Sequence, residues 1–205
     1  MAEVARIRGF VLAGGKSSRM GRNKALMRLG QKTLVLRALE TLEPFVCEVN
    51  LLAPPSQYGR LGVPVIADRW PNQGPLAAVC TALLHSDADW NIFLACDLPF
   101  VSRRFMELLA GRIHRTSSDA VVPRAEDAWQ PLSAAYHARC RRQFVRAFEE
   151  GERSITRLLD KVTVNTITQN DMLAAGLSQT ELTNVNTPED WERIRRYSGQ
   201  QDKSC

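Results

Sequence analysis

The run Ile7-Arg-Gly-Phe-Val-Leu-Ala13 is mostly apolar and leads directly into Gly14-Gly-Lys-Ser-Ser-Arg-Met-Gly-Arg-Asn-Lys24. The first segment has the composition of a buried β-strand, since a strand that is covered on both faces carries apolar residues without strict alternation. The second segment is a loop rich in glycine and in cationic side chains. In open α/β sheets, ligands gather at the carboxyl ends of the strands, so we expect this loop to bind one.

Strand and helix patterns alternate along the rest of the chain. Further strand-like runs cover residues 46–53, 63–67, 90–96, 119–123 and 162–167. Helical patterns begin near Thr33, Pro75, Ser102, Arg139 and Thr187, and most of these residues suit a cap or a first helical turn. The alternation predicts a three-layer α/β/α sandwich around a mostly parallel sheet.

Composition indicates an ordinary globular protein. Of the 205 residues, 44% are hydrophobic and 24% charged, which excludes wholesale disorder. No linker rich in Gly, Ser or Pro divides the chain. We therefore predict one domain over residues 1–197 and a frayed polar tail over residues 198–205.

Several classes of protein are disfavoured. No apolar run reaches the roughly 18 residues of a membrane helix, and no signal peptide is evident, so we expect a cytoplasmic protein without membrane partners. The five cysteines contain no C-x-x-C pair, which argues against a disulfide framework or a zinc site. The net charge of +5 suits an anionic partner, but no aromatic residues interleave with the arginines, so nucleic acid is not expected.

The glycine-rich loop predicts an anion-binding site. Gly14 and Gly15 permit close backbone approach, so that N–H groups can face an anion. Lys16, Arg19 and Lys24 would neutralise a triphosphate. The loop is neither a Walker loop nor a dinucleotide fingerprint, because G-x-x-x-x-G-K-[ST] and G-x-G-x-x-G are both absent. A flexible turn with surface bases is the alternative interpretation.

Carboxylates follow two other predicted strands. Asp68 ends the run 63–67 and Asp97 ends the run 90–96, so both are expected at the same edge of the sheet as the loop. A divalent cation such as Mg²⁺ takes one or two carboxylates together with phosphate oxygens, which suits Asp97. The alternative for each aspartate is a cap or turn, and for Asp68 the two interpretations are evenly balanced.

Two further motifs are open to either a binding or a structural role. Gly74 precedes a predicted helix whose N-terminus would face a nucleotide, or it forms a plain loop. Asn184 and Asn186 flank Val185, so in an extended segment both amides share one side, where they bind a polar ligand or secure the last helix.

These residues together resemble a known family. The loop is similar to the signature L-A-G-G-x-S-x-R-M-G-x-D-K of the nucleotidyltransferase superfamily, and the chain most resembles its molybdenum cofactor guanylyltransferases. The supporting motifs lie in the expected order and span nearly the whole chain: Gln73-Gly-Pro-Leu-Ala77, Ala95-Cys-Asp-Leu-Pro99, Gln130-Pro-Leu-Ser-Ala-Ala-Tyr136 and Asn184-Val-Asn-Thr-Pro-Glu-Asp190.

The resemblance implies a Rossmann-like nucleotidyltransferase fold and the transfer of GMP from GTP to molybdopterin carrying molybdenum, with Mg²⁺ as cofactor. GTP and molybdopterin are the expected partners, with other molybdenum cofactor biosynthesis proteins as further candidates. The nucleotide-binding residues expected from the loop and the resemblance are Leu12, Ala13, Gly14, Gly15, Lys16, Lys24, Asp68, Gly74 and Asp97. Asp97, Arg19 and Lys24 are the expected catalytic residues, Asp97 is the metal ligand, and Gln130, Asn184 and Asn186 are expected at the pterin.

Two positions depart from the family pattern. Asn23 stands where the signature has aspartate, which removes a negative charge beside Lys24. A nucleotide-contacting asparagine is expected after the second strand, where the chain has Leu52, Ala53 and Pro54. The alternatives are therefore a cytidylyltransferase acting on molybdopterin, another small NTP transferase, or a non-catalytic nucleotide-binding protein. A nucleic-acid binder would rest on charge alone.

Overall fold

The computed structural model describes residues 5–14, 23–59, 61–125 and 128–201. The strands are β1 (Ile7–Leu12), β2 (Arg28–Leu29), β3 (Lys32–Thr33), β4 (Glu48–Leu52), β5 (Val65–Ile66), β6 (Trp90–Ala95), β7 (Ala120–Ala125), β8 (Ala128–Trp129), β9 (Ala135–His137) and β10 (Val164–Ile167). The α-helices are α1 (Leu34–Leu42), α2 (Pro55–Tyr58), α3 (Pro75–His85), α4 (Arg103–Ile113), α5 (Cys140–Glu149), α6 (Ile155–Leu159), α7 (Gln169–Ala174) and α8 (Pro188–Gln201). Short 3₁₀ turns cover Lys24–Leu26, Glu43–Phe45 and Gln179–Leu182.

The main sheet has the strand order β10-β7-β9-β6-β1-β4-β5. Along that order the pairs are parallel, apart from those of β9, which runs antiparallel to both β6 and β7. The predicted mostly parallel sheet is therefore confirmed. Strand β9 was not predicted, because three residues between a loop and a helix give too short a pattern to reveal a strand.

Register aligns the carboxyl ends of the three central strands. Leu12 of β1 lies opposite Leu52 of β4 and Ala95 of β6. Beyond these residues the backbones stay joined, since the N–H of Ala13 donates to the Leu52 carbonyl at 3.0 Å and that of Cys96 to the Leu12 carbonyl at 3.2 Å. Whatever follows β1 and β6 therefore emerges side by side.

Alternate residues of the central strands enter two cores. Val11 packs with apolar residues of α1 and α4 on one face of the sheet. Phe10, stacked on Phe93 with ring centroids 5.4 Å apart, packs with α3 and α5 on the other face. This confirms the three layers. Gly9 faces α1 so closely that a Cβ there would lie 2.8 Å from Leu42 Cδ2.

The last helix places the motif at residues 184–190 near the carboxyl ends of the central strands. Trp191 and Ile194 of α8 form a third apolar cluster with Met27, Leu34 and Val185. The side chain of Thr187 accepts from the N–H of Asp190 at 3.1 Å, so this threonine caps the helix as predicted. The helix continues through Gln201 and thus includes the first part of the segment that we predicted to be frayed, whereas residues 202–205 lie outside the described ranges.

Two expectations from composition can be compared with the structure. Cys80, Cys96 and Cys140 are buried, and burial raises the pKa of each thiol to about 12, so these cysteines are packing residues rather than nucleophiles.

Among the described residues, each helix is too short or too polar to span a bilayer.

Candidate active site

Asp97 lies two residues beyond the end of β6 and beside the end of β1. Its side chain is 23% exposed, and Oδ2 accepts a hydrogen bond from Lys24 Nζ at 2.9 Å. The main-chain carbonyl of Asp97 accepts from the N–H of Val185 at 2.9 Å. Side chain and main chain of one residue therefore join two segments that are distant in sequence.

Lys24 is the centre of this arrangement. Its ammonium group is only 16% exposed and also donates to the Val185 carbonyl at 2.6 Å and to Asn186 Oδ1 at 3.2 Å. An ammonium has three N–H donors, and these contacts give each one an acceptor. We call Lys24, Asp97, Val185 and Asn186 the Lys24–Asp97 cluster. The ammonium fixes the carboxylate and the amide relative to each other, and the predicted contact of Lys24 with phosphate stays a prediction.

Val185 determines which way the two asparagines face. Its side chain is fully buried in the third apolar cluster. Because successive side chains of an extended segment point to opposite sides, Asn184 and Asn186 are directed away from that cluster. Both line a cleft together with Asp97, as the sequence pattern predicted.

This cleft has a volume of about 350 Å³ and lies at the head of the sheet. Its polar lining joins the predicted Gln130, Asn184 and Asn186 to Asp97, and Pro75 at the start of α3 also contributes. A second cleft of about 590 Å³ borders Gln130 and Asn184 from the other side. These two residues therefore border both cavities, the one around Asp97 and a second whose lining mixes apolar residues such as Phe100 and Met172 with polar ones such as Arg193.

Arg153 is a lining residue that the sequence reasoning missed. Its guanidinium lies 4.3 Å from the centroid of the Phe148 ring, and Nη1 donates to the carbonyls of Phe148 and Glu152. The ring and the carbonyls hold a cation at the wall of the Asp97 cleft. The local sequence gives no signal for this, because Arg153 belongs to a loop between two helices and reaches the cleft only through tertiary packing.

Asp68 has a structural part within the described residues. Its Oδ1 accepts from the Trp70 N–H at 3.0 Å and from Thr81 Oγ1 at 2.9 Å. These bonds secure the loop after β5 to α3. Asp68 is not among the described residues that line the Asp97 cleft. The geometry supports the turn interpretation, and the expected nucleotide contact stays a prediction.

The glycines and cations predicted at the nucleotide lie partly inside the described residues. Gly14 is exposed two residues after β1. Gly74, which is outside the glycine-rich loop, caps α3 with φ 91° and ψ 179°, a positive φ that favours glycine. Gly74 is followed by Pro75 at the first helical position, as the sequence predicted. Gly15, Lys16 and Arg19 lie outside the described residues.

The donor set suits a divalent cation that arrives with a nucleotide. Within the described ranges, no group of three or more His, Cys, Asp or Glu residues forms an all-protein metal cage. Mg²⁺ is typically held by one or two carboxylates while phosphate oxygens and water complete its shell. Asp97, with the amide oxygens of Asn184 and Asn186 on the same cleft, provides that kind of site.

Known proteins share this sequence pattern and fold. The MobA-like NTP transferase domain matches residues 9–166. The chain belongs to this family. A probable molybdenum cofactor guanylyltransferase from Bacillus mycoides strain KBAB4 is 34% identical over 196 residues, which cover 92% of this chain and 95% of that protein. The crystal structure of molybdopterin-guanine dinucleotide biosynthesis protein A from Archaeoglobus fulgidus has a TM-score of 0.81 at 25% identity and covers 94% of this chain and 99% of that one.

Membership of the MobA-like NTP transferase family identifies the chain as a nucleotidyltransferase, as the resemblance implied. The fold extends further, to a 2-C-methyl-D-erythritol 4-phosphate cytidylyltransferase from Thermus thermophilus, with a TM-score of 0.68 at 16% identity over 93% of this chain and 98% of that one. The nucleotidyltransferase fold expected from the resemblance is thereby confirmed.

Proposed function

We propose that this enzyme transfers GMP from GTP to molybdopterin carrying molybdenum, with release of pyrophosphate and with Mg²⁺ as cofactor. The Lys24–Asp97 cluster carries the proposal, because it joins three separate motifs at the head of a parallel sheet. The names of the relatives from Bacillus mycoides and Archaeoglobus fulgidus support guanine as the base and molybdopterin as the acceptor.

The chemistry brings two anions together. The terminal phosphate of the pterin attacks the α-phosphorus of GTP, and their repulsion is a large part of the barrier. Asp97, with Asn184 or Asn186, would hold Mg²⁺. When bound there, Mg²⁺ would supply positive charge that offsets the charge of the phosphates. Lys24 keeps the Asp97 carboxylate and the Asn186 amide in fixed positions before substrate arrives, which reduces the reorganisation that the reaction requires.

No general base is needed for this reaction, because a phosphate nucleophile is already ionised at neutral pH. The position of His137 agrees with the absence of a general base. His137 lies opposite Trp90 at the amino end of β6, whereas Asp97 follows the carboxyl end of the same strand. Positioning and electrostatics are therefore the contributions that the chain makes.

The acceptor is proposed to bind in the cleft of about 350 Å³ beside Asp97. Gln130, Asn184 and Asn186 offer amide donors and acceptors to a polar pterin ring, and Arg153 offers a cation to its phosphate. The glycine-rich loop at the end of β1 would hold the triphosphate on the neighbouring side, with the backbone of Leu12, Ala13 and Gly14 near the nucleotide.

Pyrophosphate release tests the proposal. Purified enzyme would be mixed with Mg²⁺, molybdenum-loaded molybdopterin and each of GTP, CTP, ATP and UTP in turn. We expect turnover with GTP at least tenfold faster than with the other nucleotides. Preferred turnover with CTP would contradict the choice of base while leaving the reaction class in place.

The role of Asp97 is tested by Asp97→Asn, which keeps the shape of the side chain. We expect a loss of GMP transfer of at least about 10²-fold, comparable to the removal of one preorganised electrostatic contact. Glu107→Gln is a matched control, because Glu107 is an exposed carboxylate on α4 that pairs only with its neighbour Arg103 among the described residues. An active Asp97→Asn enzyme would refute the proposed site.

A further inference from the structure

The hydroxyl of Tyr58 is a polar group inside the core. Tyr58 ends α2 and is 2% exposed. Its oxygen lies 3.3 Å from the carbonyl oxygen of Ala13 and 2.8 Å from Nδ2 of Asn23. Ala13 precedes residues 15–22 of the glycine-rich loop and Asn23 follows them. One buried hydroxyl therefore contacts the chain on both sides of that loop.

Asn23 determines the direction of these hydrogen bonds. Its Oδ1 accepts from the N–H of Ala25 at 3.1 Å and so caps the short helix that begins at Lys24. Its Nδ2 donates to Gln57 Oε1 at 2.7 Å and to the Tyr58 hydroxyl at 2.8 Å, which uses both amide hydrogens. The Tyr58 oxygen thus accepts from Asn23, and its own hydrogen lies within reach of two acceptors, Asn23 Oδ1 at 3.1 Å and the Ala13 carbonyl at 3.3 Å.

We propose that Tyr58 and Asn23 are positioning residues for nucleotide binding, which close the two ends of the glycine-rich loop against each other and set the place of Lys24. The inference rests on the proposed function, in which the loop holds the triphosphate and Asp97 the metal. Lys24 follows Asn23 directly, so a shift of the Asn23 cap would displace the ammonium from Asp97.

The same geometry gives a reason for asparagine at a position where the family signature has aspartate. An aspartate has no N–H, so it would deprive the Tyr58 oxygen of the donor that Asn23 Nδ2 supplies at 2.8 Å. It would also leave Gln57 Oε1 without its donor until the glutamine amide turned round. In this chain, Asn23 is therefore matched to Tyr58 and Gln57.

Tyr58→Phe is the direct test, because it keeps the ring in the core and removes only the hydroxyl. We expect the Kd of a fluorescent GTP analogue and the KM for GTP to rise roughly threefold to tenfold, the range of one net hydrogen bond, while kcat changes less than twofold. A purely structural role would lower the melting temperature and leave KM unchanged, and that result would overturn the proposal.

Tyr136→Phe is the matched control for the loss of a buried hydroxyl. Tyr136 is fully buried on the opposite face of the sheet, and its hydroxyl donates to the Pro131 carbonyl at 2.8 Å. We expect this variant to lose stability without a change in KM for GTP. An equal rise of KM in both variants would show that loss of stability alone is responsible, and would overturn the inference.

Two further variants keep the test decisive if Tyr58→Phe does not fold. Gln57 is exposed, so Gln57→Ala is expected to fold and to raise the KM for GTP by about twofold to fivefold. Asn23→Asp is expected to raise it as much as Tyr58→Phe, and the double variant no more than either single one, since both changes remove the same hydrogen bond from Asn23 Nδ2 to the Tyr58 hydroxyl. Additive effects or an unchanged KM in Gln57→Ala would overturn the proposal.

The inference and the proposed function fail in different ways. If Asp97→Asn is inactive while Tyr58→Phe binds GTP as the unmodified enzyme does, the proposed site stands and the positioning role of Tyr58 is wrong. If Asp97→Asn is fully active, the proposed site itself is wrong, and with it the premise for Tyr58.

Discussion

Replacement of Lys24 by methionine removes the ammonium of the Lys24–Asp97 cluster and keeps most of the apolar stem. Three oxygen atoms, Asp97 Oδ2, the Val185 carbonyl and Asn186 Oδ1, would then face one another without the donors that now separate them. At 2.9 Å, the attraction between the two charges is about 6 kcal/mol for an effective dielectric constant of about 20. Loss of hydration on burial cancels most of this energy.

The net cost is expected to be close to that of a hydrogen bond to a charged group. We therefore predict that Lys24→Met lowers the free energy of unfolding by about 2 kcal/mol. Urea denaturation followed by circular dichroism measures this quantity. GMP transfer is expected to fall at least about 10²-fold in the same variant, because the carboxylate and the amide lose their fixed positions.

A double-mutant cycle separates the cluster from other effects. Asp97→Asn supplies an amide that can donate to the Val185 carbonyl, so it should cost less in the Lys24→Met background than alone. The expected coupling free energy is about 1–2 kcal/mol. Strictly additive losses, or a Lys24→Met protein as stable as the unmodified one, would refute the cluster as an energetic unit.

Three other predictions concern the scaffold around the site. Burial raises the pKa of the Glu181 carboxyl above its ordinary value of 4.5. The stability that this protonated group contributes below pH 4.5 is therefore lost as the pH rises through the folded-state pKa. Glu181→Gln should gain stability relative to the unmodified enzyme over that pH range, which thermal melts at stepped pH would measure. Gly9→Ala would place a Cβ 2.8 Å from Leu42 Cδ2, so chemical denaturation should show a loss of stability of about 1–3 kcal/mol. Gly111→Ala is the control and should not show this loss, because its Cβ would meet open space. Gly74→Ala forces alanine into a positive-φ, extended conformation that is almost confined to glycine. It should lower stability by about 1–3 kcal/mol and weaken GTP binding, whereas unchanged binding would argue against a role for the start of α3.

The central strands could be predicted because they are covered on both faces. The runs that became β1, β4 and β6 are apolar over most of their length, and glycine, proline or aspartate marks each end. Thr33 and Ser102 were recognised as caps by residue type, and both accept from the N–H three residues later. The short strands β2, β3 and β9 carry too few residues for any period to be visible. β2 and β3 pair with each other as a hairpin across Gly30 and Gln31, whereas β9 is placed by its neighbours β6 and β7.

For the site, the sequence suggested residues that line one cleft but not the bonds between them. Asp97 was expected at this edge because the carboxyl ends of parallel strands converge there, whereas Asn186 was expected near the substrate only from the family resemblance. That Lys24 joins them through its ammonium depends on the packing of α8, which places Val185 next to a residue 161 positions earlier. Tyr58 and Arg153 were missed for the same reason. Their contacts form only in the folded chain, so no local sequence pattern indicates them.

The most direct measurement is the position of the metal. Crystals of the enzyme grown with a non-hydrolysable GTP analogue and Mn²⁺ would give an anomalous signal that locates the ion. We expect the peak to lie within coordinating distance of an Asp97 oxygen, with the triphosphate at the end of β1. A peak bound elsewhere, with Asp97 still held by Lys24 and distant from the phosphates, would contradict it.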